Sequence, residues 1–275
     1  ICELVGQAGL EARYDDVLRG RPGRNDVLVD ARGVVTQTVR TTDPVPGQDL
    51  LTTLDATVQR RTQEALARGT RQARARGVPA DEAAAVVLDL RDGGVVASAS
   101  VPTYDPSVWT GGISARDYDR LTRSPESSPL TDRVIAGVYP PASTFKVVSL
   151  PAAVAPDALD ERVDCASSVR IGDRTFRNFE SRAYGSITWR QAISVSCDTV
   201  FYKAAERIWT SAGGLDGDDD RDAILRSATA MGLGERTGVD LPGEGTGRLP
   251  GRAWKREYWE ATKDDACRRA RTGYP

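Results

Sequence analysis

The sequence contains no histidine. That absence excludes Ser-His-Asp and Cys-His catalysis, histidine proton shuttles and histidine metal ligands. A hydrolase or transferase built from this chain needs another base, and lysine is the candidate. Lysine is itself scarce: Lys146, Lys203, Lys255 and Lys263 are the only four, in a chain whose Lys and Arg together number 37. Cysteine is sparse too. Cys2, Cys165, Cys197 and Cys267 stand far apart with no C-x-x-C pair, which argues against a zinc site. Four cysteines allow three full pairings and their spacing selects none; the plain expectation for each is a reduced, buried thiol. No run approaches the roughly 18 apolar residues of a membrane span, and Ile1 opens without the charged and then apolar leader of an exported chain.

What is present describes a globular protein. The 275 residues are 40% hydrophobic and 28% charged, enough for one large domain with an appendage. A formal net charge of -2 gives no electrostatic reason to expect nucleic-acid binding. Both ends read as cuts within a longer protein.

Residues 1–45 hold one expected hairpin over 27–35, turning at Ala31-Arg32-Gly33. Pro44, Pro46 and Gly47 mark a boundary after it. Asp55 is placed to cap a helix whose apolar face carries Ala56, Val58, Ala65 and Leu66. The β-rich runs 84–90 and 95–100, joined by Arg91-Asp92-Gly93-Gly94, predict a second hairpin. The stretch 102–129, full of Pro, Gly, Ser and Asp, reads as irregular. Further helices are expected after Pro140-Pro141, from Thr188 through Ile193, over 199–208, and over 222–231 before Gly232, with an acidic loop at 215–222. Residues 254–270 are charged, with aromatics.

Two short groups carry chemistry. In Ser143-Thr144-Phe145-Lys146 a serine and a lysine lie three apart at a helix start, so one face presents both. A lysine drawn partly out of water can take the serine proton, and helix-start N–H groups favour a developing oxyanion. A chain of this length shows about one S-x-x-K by chance at ordinary residue usage; the scarcity of lysine and the Pro-Pro turn before the pair make this one noteworthy. In Ser196-Cys197-Asp198, a hydroxyl and a carboxylate can reach one side of a loop, the serine relaying a proton and the carboxylate holding a lysine or a substrate amide. A helix cap is the plainer reading of that tripeptide.

Together, in this order, the two groups resemble the first two motifs of the penicillin-binding proteins and serine β-lactamases. The resemblance extends along the chain. Gly9-Leu10-Glu11-Ala12-Arg13-Tyr14-Asp15 with Leu18-Arg19-Gly20 is similar to the segment preceding the transpeptidase domain of class B penicillin-binding proteins. Leu51-Thr52-Thr53-Leu54-Asp55 with Val58-Gln59 resembles the entry to that domain. Tyr139-Pro140-Pro141-Ala142, Thr199-Val200-Phe201-Tyr202 and Gly238-Val239-Asp240-Leu241-Pro242-Gly243-Glu244 also match.

The resemblance implies an α/β (α+β) fold of the penicillin-binding protein and serine β-lactamase type. That is an antiparallel sheet flanked by helices, incomplete at the C-terminus, with a small β-containing N-terminal segment. Residues 1–45 are then the C-terminal part of a pedestal or linker region, and 46–275 the N-terminal portion of the transpeptidase domain. It implies an extracytoplasmic DD-transpeptidase that needs no cofactor or metal. Ser143 attacks the penultimate D-alanine carbonyl of a stem peptide ending in D-Ala-D-Ala, and Lys146 is the base. Ser196 passes the proton to the leaving amine, Asp198 positions Lys146 and substrate, and Thr199 joins substrate binding. β-Lactams acylate the same serine. The implied partners are a cell-wall glycosyltransferase and, through an anchor in a preceding segment, the membrane; nucleic acid is not among them.

Two departures accompany the resemblance. The second motif ends in Asp198 where asparagine is usual, a feature similar to the elongation-type branch. The third motif, Lys-Thr-Gly on an edge strand, is absent; Arg271-Thr272-Gly273 is rejected because no β-rich run surrounds it, and the motif is expected beyond Pro275. The rival readings are a DD-carboxypeptidase, a serine β-lactamase or β-lactam sensor, and a non-catalytic cell-wall scaffold. No Glu-x-x-Leu-Asn motif supports the β-lactamase, and the intact Ser143 and Lys146 oppose the scaffold.

Overall fold

The computed structural model describes residues 5–123 and 128–272, with side chains as far as 265. The chain divides into two compact units, one from Ile1–Val138 with Gly238–Gly245, the other from Tyr139–Thr237 with Thr246–Pro275.

The first unit opens with two short helices, α1 (Gly9–Arg13) and α2 (Asp15–Leu18), and the expected hairpin of β1 (Arg24–Val29) and β2 (Val35–Thr42). The Asp30 carboxylate closes the turn by accepting the N–H groups of Val34 and Arg32, at 2.9 and 2.8 Å. Those bonds hold its carboxyl below the usual carboxylate value. Helix α3 (Ala56–Ala75) starts at Asp55, whose carboxylate takes the N–H groups of Thr57 and Val58. It packs along the second hairpin, β3 (Ala83–Leu88) with β4 (Val95–Val101). The Gln59 amide grips the Ser98 backbone from both sides, at 2.7 and 2.8 Å, and so fixes the helix to that strand.

The stretch 102–129 is not irregular throughout. It contains α4 (Ala115–Thr122). The Ser114 hydroxyl accepts the Asp117 N–H at 3.0 Å and donates to the Asp117 carboxylate at 2.7 Å. This reciprocal start stabilises a helix that buries little beyond Leu121.

The second unit carries α5 (Lys146–Ala153), then four strands of four residues each. β5 (Arg162–Cys165) pairs with β8 (Gly185–Thr188), and β6 (Ser168–Ile171) with β7 (Arg174–Arg177). All four two-stranded sheets of the described residues are antiparallel. Helix α6 (Trp189–Ser194) begins at Thr188 with a full capping box to Gln191. Helix α7 (Asp198–Ser211) begins one residue before, and ends three after, the span its periodicity predicts. Helix α8 (Ala223–Ala230) falls within the expected 222–231, and the Asp222 carboxylate caps it by accepting the N–H groups of Ile224 and Leu225. The core lies between α5, α6, α7 and β5, where Ala153, Cys165, Trp189, Ala192, Cys197, Val200, Phe201 and Ala204 are buried. Trp189 meets Phe201 edge-to-face at 6.0 Å.

Residues 254–270 fall within one long helix, α9 (Arg252–Thr272). The backbone at Arg271 and Thr272 is therefore helical, not an edge strand; Gly273 and the side chains of 271 and 272 lie outside the described residues. Among the described residues no helix is long and apolar enough to cross a membrane. The expectation of reduced thiols is corrected for two of the four cysteines. Cys165 and Cys197 form a disulfide with a Cα–Cα separation of 6.2 Å. Cys2 and the side chain of Cys267 lie outside the described residues.

The acidic loop is not simply solvated. Arg252, 1% exposed, donates to Asp219 at 2.8 Å, to Asp222 at 3.4 Å and to the Gly214 carbonyl at 2.7 Å, and stacks 4.2 Å above the Trp209 ring. One guanidinium thus ties the start of α9 to the loop, to the cap of α8 and to α7. Removing it leaves carboxylates without their cation, so Arg252→Ala is expected to lower stability by about 3 kcal/mol, read by urea denaturation. Burial opposes ionisation of Asp219, but its bonds to Arg252 outweigh that and hold its carboxyl below the usual value. Stability from a depressed carboxyl is present above the ordinary carboxylate range and lost as pH falls through the folded-state value. The difference between wild type and Arg252→Ala should therefore shrink in acid.

Candidate active site

Ser143 lies in a turn of 3-10 helix, Ala142–Phe145, that runs directly into α5 at Lys146. The double proline before it leads to Ala142, which takes a left-handed φ of +48°. With three residues per turn, positions i and i+3 eclipse, so Ser143 and Lys146 stand one above the other more directly than on an α-helix. The Lys146 Nζ lies 3.0 Å from the Ser143 Oγ. The N–H groups of Thr144 and Lys146 are both bonded inside this turn, so the helix-start donors expected for an oxyanion are not these two.

Ser196 sits between α6 and α7 at a left-handed φ of +55°, a conformation that presents its side chain to Lys146. The same Nζ lies 2.9 Å from the Ser196 Oγ and 3.0 Å from the Ser196 carbonyl oxygen, and donates to the Asp198 carboxylate. Lys146 is 8% exposed, and the Phe201 ring centroid lies 5.8 Å from its nitrogen. Ser143 itself is exposed. A buried amine therefore bridges two hydroxyls and is held by one carboxylate, with the first hydroxyl facing outward. That arrangement can move a proton from the Ser143 hydroxyl through one nitrogen to the Ser196 hydroxyl without either hydroxyl leaving its place.

The structure thus brings Ser143, Lys146, Ser196 and Asp198 together within the second unit. It does not bring Thr199 to their open side. Thr199 is fully buried and its hydroxyl donates to the Ala166 carbonyl at 2.9 Å, so the expected contact with substrate is replaced by a structural bond. Two features escaped the sequence. Phe201 entered only within the matching run 199–202, with no role of its own. Asn178 lies in a polar, arginine-rich stretch with no motif around it, yet it is buried and accepts the Thr199 N–H at 3.0 Å.

A serine hydroxyl beside a buried lysine amine, backed by a second serine and a carboxylate, is an arrangement suited to acyl transfer. Comparison with known proteins narrows that chemistry to a family. The penicillin-binding protein transpeptidase domain matches residues 83–265, and the penicillin-binding protein dimerisation domain matches residues 2–52. The peptidoglycan D,D-transpeptidase MrdA of Escherichia coli (strain K12) is 32% identical over 265 residues, covering 93% of this chain and 37% of that protein. The MrdA protein of Acinetobacter baumannii is 32% identical over 256 residues, covering 92% of this chain and 34% of that protein. Among solved structures, a peptidoglycan synthase complex that coordinates polymerization and crosslinking contains a chain 36% identical, with a TM-score of 0.71, covering 92% of this chain and 44% of its own. Pseudomonas aeruginosa PBP2, solved in complex with WCK 5153, is 28% identical with a TM-score of 0.67, covering 93% of this chain and 49% of its own. The chain belongs to the class B penicillin-binding proteins. It spans little more than a third of the length of the MrdA relatives.

Proposed function

We propose that this chain carries the nucleophile and base of a peptidoglycan DD-transpeptidase that works on the extracytoplasmic face of the bacterial membrane and is acylated by β-lactams. The observation that carries the reading is the Lys146 nitrogen, held within 3.0 Å of both the Ser143 and the Ser196 hydroxyl oxygens. In the reaction the Ser143 Oγ attacks the carbonyl carbon of the penultimate D-alanine while its proton passes to the Lys146 amine. The tetrahedral adduct collapses by breaking the C–N bond. The departing D-alanine nitrogen takes a proton from the Ser196 hydroxyl, which is refilled from Lys146. An amine from a neighbouring stem peptide then attacks the ester, gives up its proton along the same route in reverse, and frees Ser143 with a cross-link formed. A β-lactam follows the first half, but its leaving nitrogen stays tethered to the acyl group.

Asp198 in place of asparagine supports an elongation role, and the relatives named MrdA point the same way. A glycosyltransferase partner is proposed because a structurally similar chain belongs to a synthase complex. The division at residue 45 is retained as a proposal, supported by the closure of the first hairpin at Thr42 and the Pro44-Val45-Pro46-Gly47 run after it.

The full-length protein, treated with a fluorescent penicillin and digested, is expected to carry the label on the peptide containing Ser143. It should also release D-alanine from a pentapeptide and form cross-linked product when an acceptor amine is supplied. Labelling of a different residue, or none, overturns the enzymatic reading; D-alanine release unaffected by the amine favours the carboxypeptidase.

A further inference from the structure

We propose that the Cys165–Cys197 disulfide, with Asn178, is a positioning clamp for the two catalytic groups Ser196 and Asp198. Full acylation activity then requires this cysteine pair to be oxidised. The inference rests on the reading of Ser143 as an acylated nucleophile.

Among the residues that act, only Lys146 holds the turn that presents Ser196, through the Ser196 carbonyl oxygen at 3.0 Å. The hydrogen-bonded contact of the Ser196 side chain is Lys146, and the Asp198 carboxylate likewise goes to Lys146. Ser196 also occupies a left-handed conformation that a serine does not favour, so something outside it has to keep it there. The residue between the two is Cys197, fully buried and bonded covalently to Cys165 at the end of β5. Cys165 is fully buried too, and β5 is locked against β8. One residue further on, Thr199 donates its hydroxyl to the Ala166 carbonyl at 2.9 Å. Asn178 completes the arrangement. Its amide nitrogen donates to the Ala166 and Arg182 carbonyls at 2.9 and 2.7 Å, while its oxygen accepts the Thr199 N–H. The first turn of α7 is therefore joined to residues 165–166 by one covalent bond and a buried set of hydrogen bonds.

Breaking the covalent bond has a definite consequence. Two unbonded sulfurs need van der Waals separation, and in a filled core the mobile partner is the loop that carries Ser196 and Asp198. A displacement of about 1 Å at a reacting group is enough to cost on the order of 100-fold in rate. Forming the bond takes two electrons and two protons from the thiols. A disulfide-donating oxidant receives both, its own S–S bond breaking as the protein's forms.

The test uses the full-length protein and measures the rate of acylation by a fluorescent penicillin as a function of its concentration. Cys165→Ala/Cys197→Ala, shown to be folded by circular dichroism, is expected to acylate at least about 10-fold more slowly than wild type. The loss should fall on the limiting rate of acylation rather than on the half-saturating penicillin concentration, as for an interaction made in the transition state. A merely structural bond would lower the melting temperature and leave the limiting rate of the folded variant in place. If the folded variant acylates within twofold of wild type at low and at saturating penicillin, the clamp is overturned while the nucleophile assignment stands. If wild type is not acylated at Ser143, the functional reading falls and the clamp with it. Should the double variant fail to fold, wild type refolded in reduced glutathione is compared with wild type refolded in oxidised glutathione. Peptide mapping confirms the bond in the second sample only. Faster acylation by the oxidised sample, at least about fivefold, supports the clamp, and equal rates overturn it.

Discussion

Ser143→Ala is expected to abolish covalent labelling by penicillins and to reduce D-alanine release by at least about 10⁴-fold, the scale seen when a nucleophile is removed. The structure makes this a clean experiment. Ser143 is exposed and small, so its oxygen contributes little to packing. Once it is gone, the Lys146 nitrogen still keeps the Ser196 carbonyl, the Ser196 hydroxyl and the Asp198 carboxylate. No buried charge is orphaned, and stability should stay within about 0.5 kcal/mol of wild type. The variant is therefore expected to fold, to bind antibiotic reversibly and to form no ester. Intact-protein mass spectrometry after incubation with a β-lactam reads the result directly; an adduct of the antibiotic's mass would remove Ser143 from its assigned role.

Lys146→Met is expected to slow acylation by about 10³- to 10⁴-fold, the range for loss of a positioned general base. Methionine keeps much of the length and apolar volume of the lysine stem, so the wall beside Phe201 stays filled. What it removes is the nitrogen between two hydroxyls, and with it the cation that faces Asp198. The loss of the cation should also cost stability, because Asp198 is only partly exposed. A second substitution separates the two effects. Lys146→Met/Asp198→Asn carries no unpaired charge, so it should regain stability in urea and recover no activity. If activity returned with stability, Lys146 would be a structural cation rather than the base.

Much of this architecture is written in local chemistry. The hairpin at 27–35, the Asp55 cap, the helix within 222–231, the second hairpin with its Arg-Asp-Gly-Gly connection and the Thr188 start all depend on a few adjacent residues, and all are found. What escaped depends on distant ones. The strands at 162–188 are four residues each, too short for alternation to stand out, and they exist because they pair with one another. Helix α4 is hidden in a polar run whose helical character depends on one serine cap. The disulfide joins cysteines 32 residues apart that no spacing rule connects.

The site divides in the same way. Ser143 and Lys146 are neighbours in sequence and meet by helical geometry. Ser196 and Asp198 lie 50 and 52 residues from Lys146, and family resemblance rather than periodicity brought them to notice. Asn178, which holds the start of α7, had no signal of its own.

The nitrogen of Lys146 has more suitors than hydrogens. A protonated amine offers three N–H bonds, and four oxygens lie around it, from Ser143, from Asp198 and two from Ser196. One oxygen always goes unserved, so several bonding patterns of nearly equal energy share a single arrangement of heavy atoms. Passing a proton from one hydroxyl to the other needs the neutral amine, whose lone pair takes the Ser143 proton before an N–H gives one to Ser196. The four oxygens outnumber the hydrogens of amine and ammonium alike, so one arrangement of heavy atoms serves the nitrogen before and after it takes the proton.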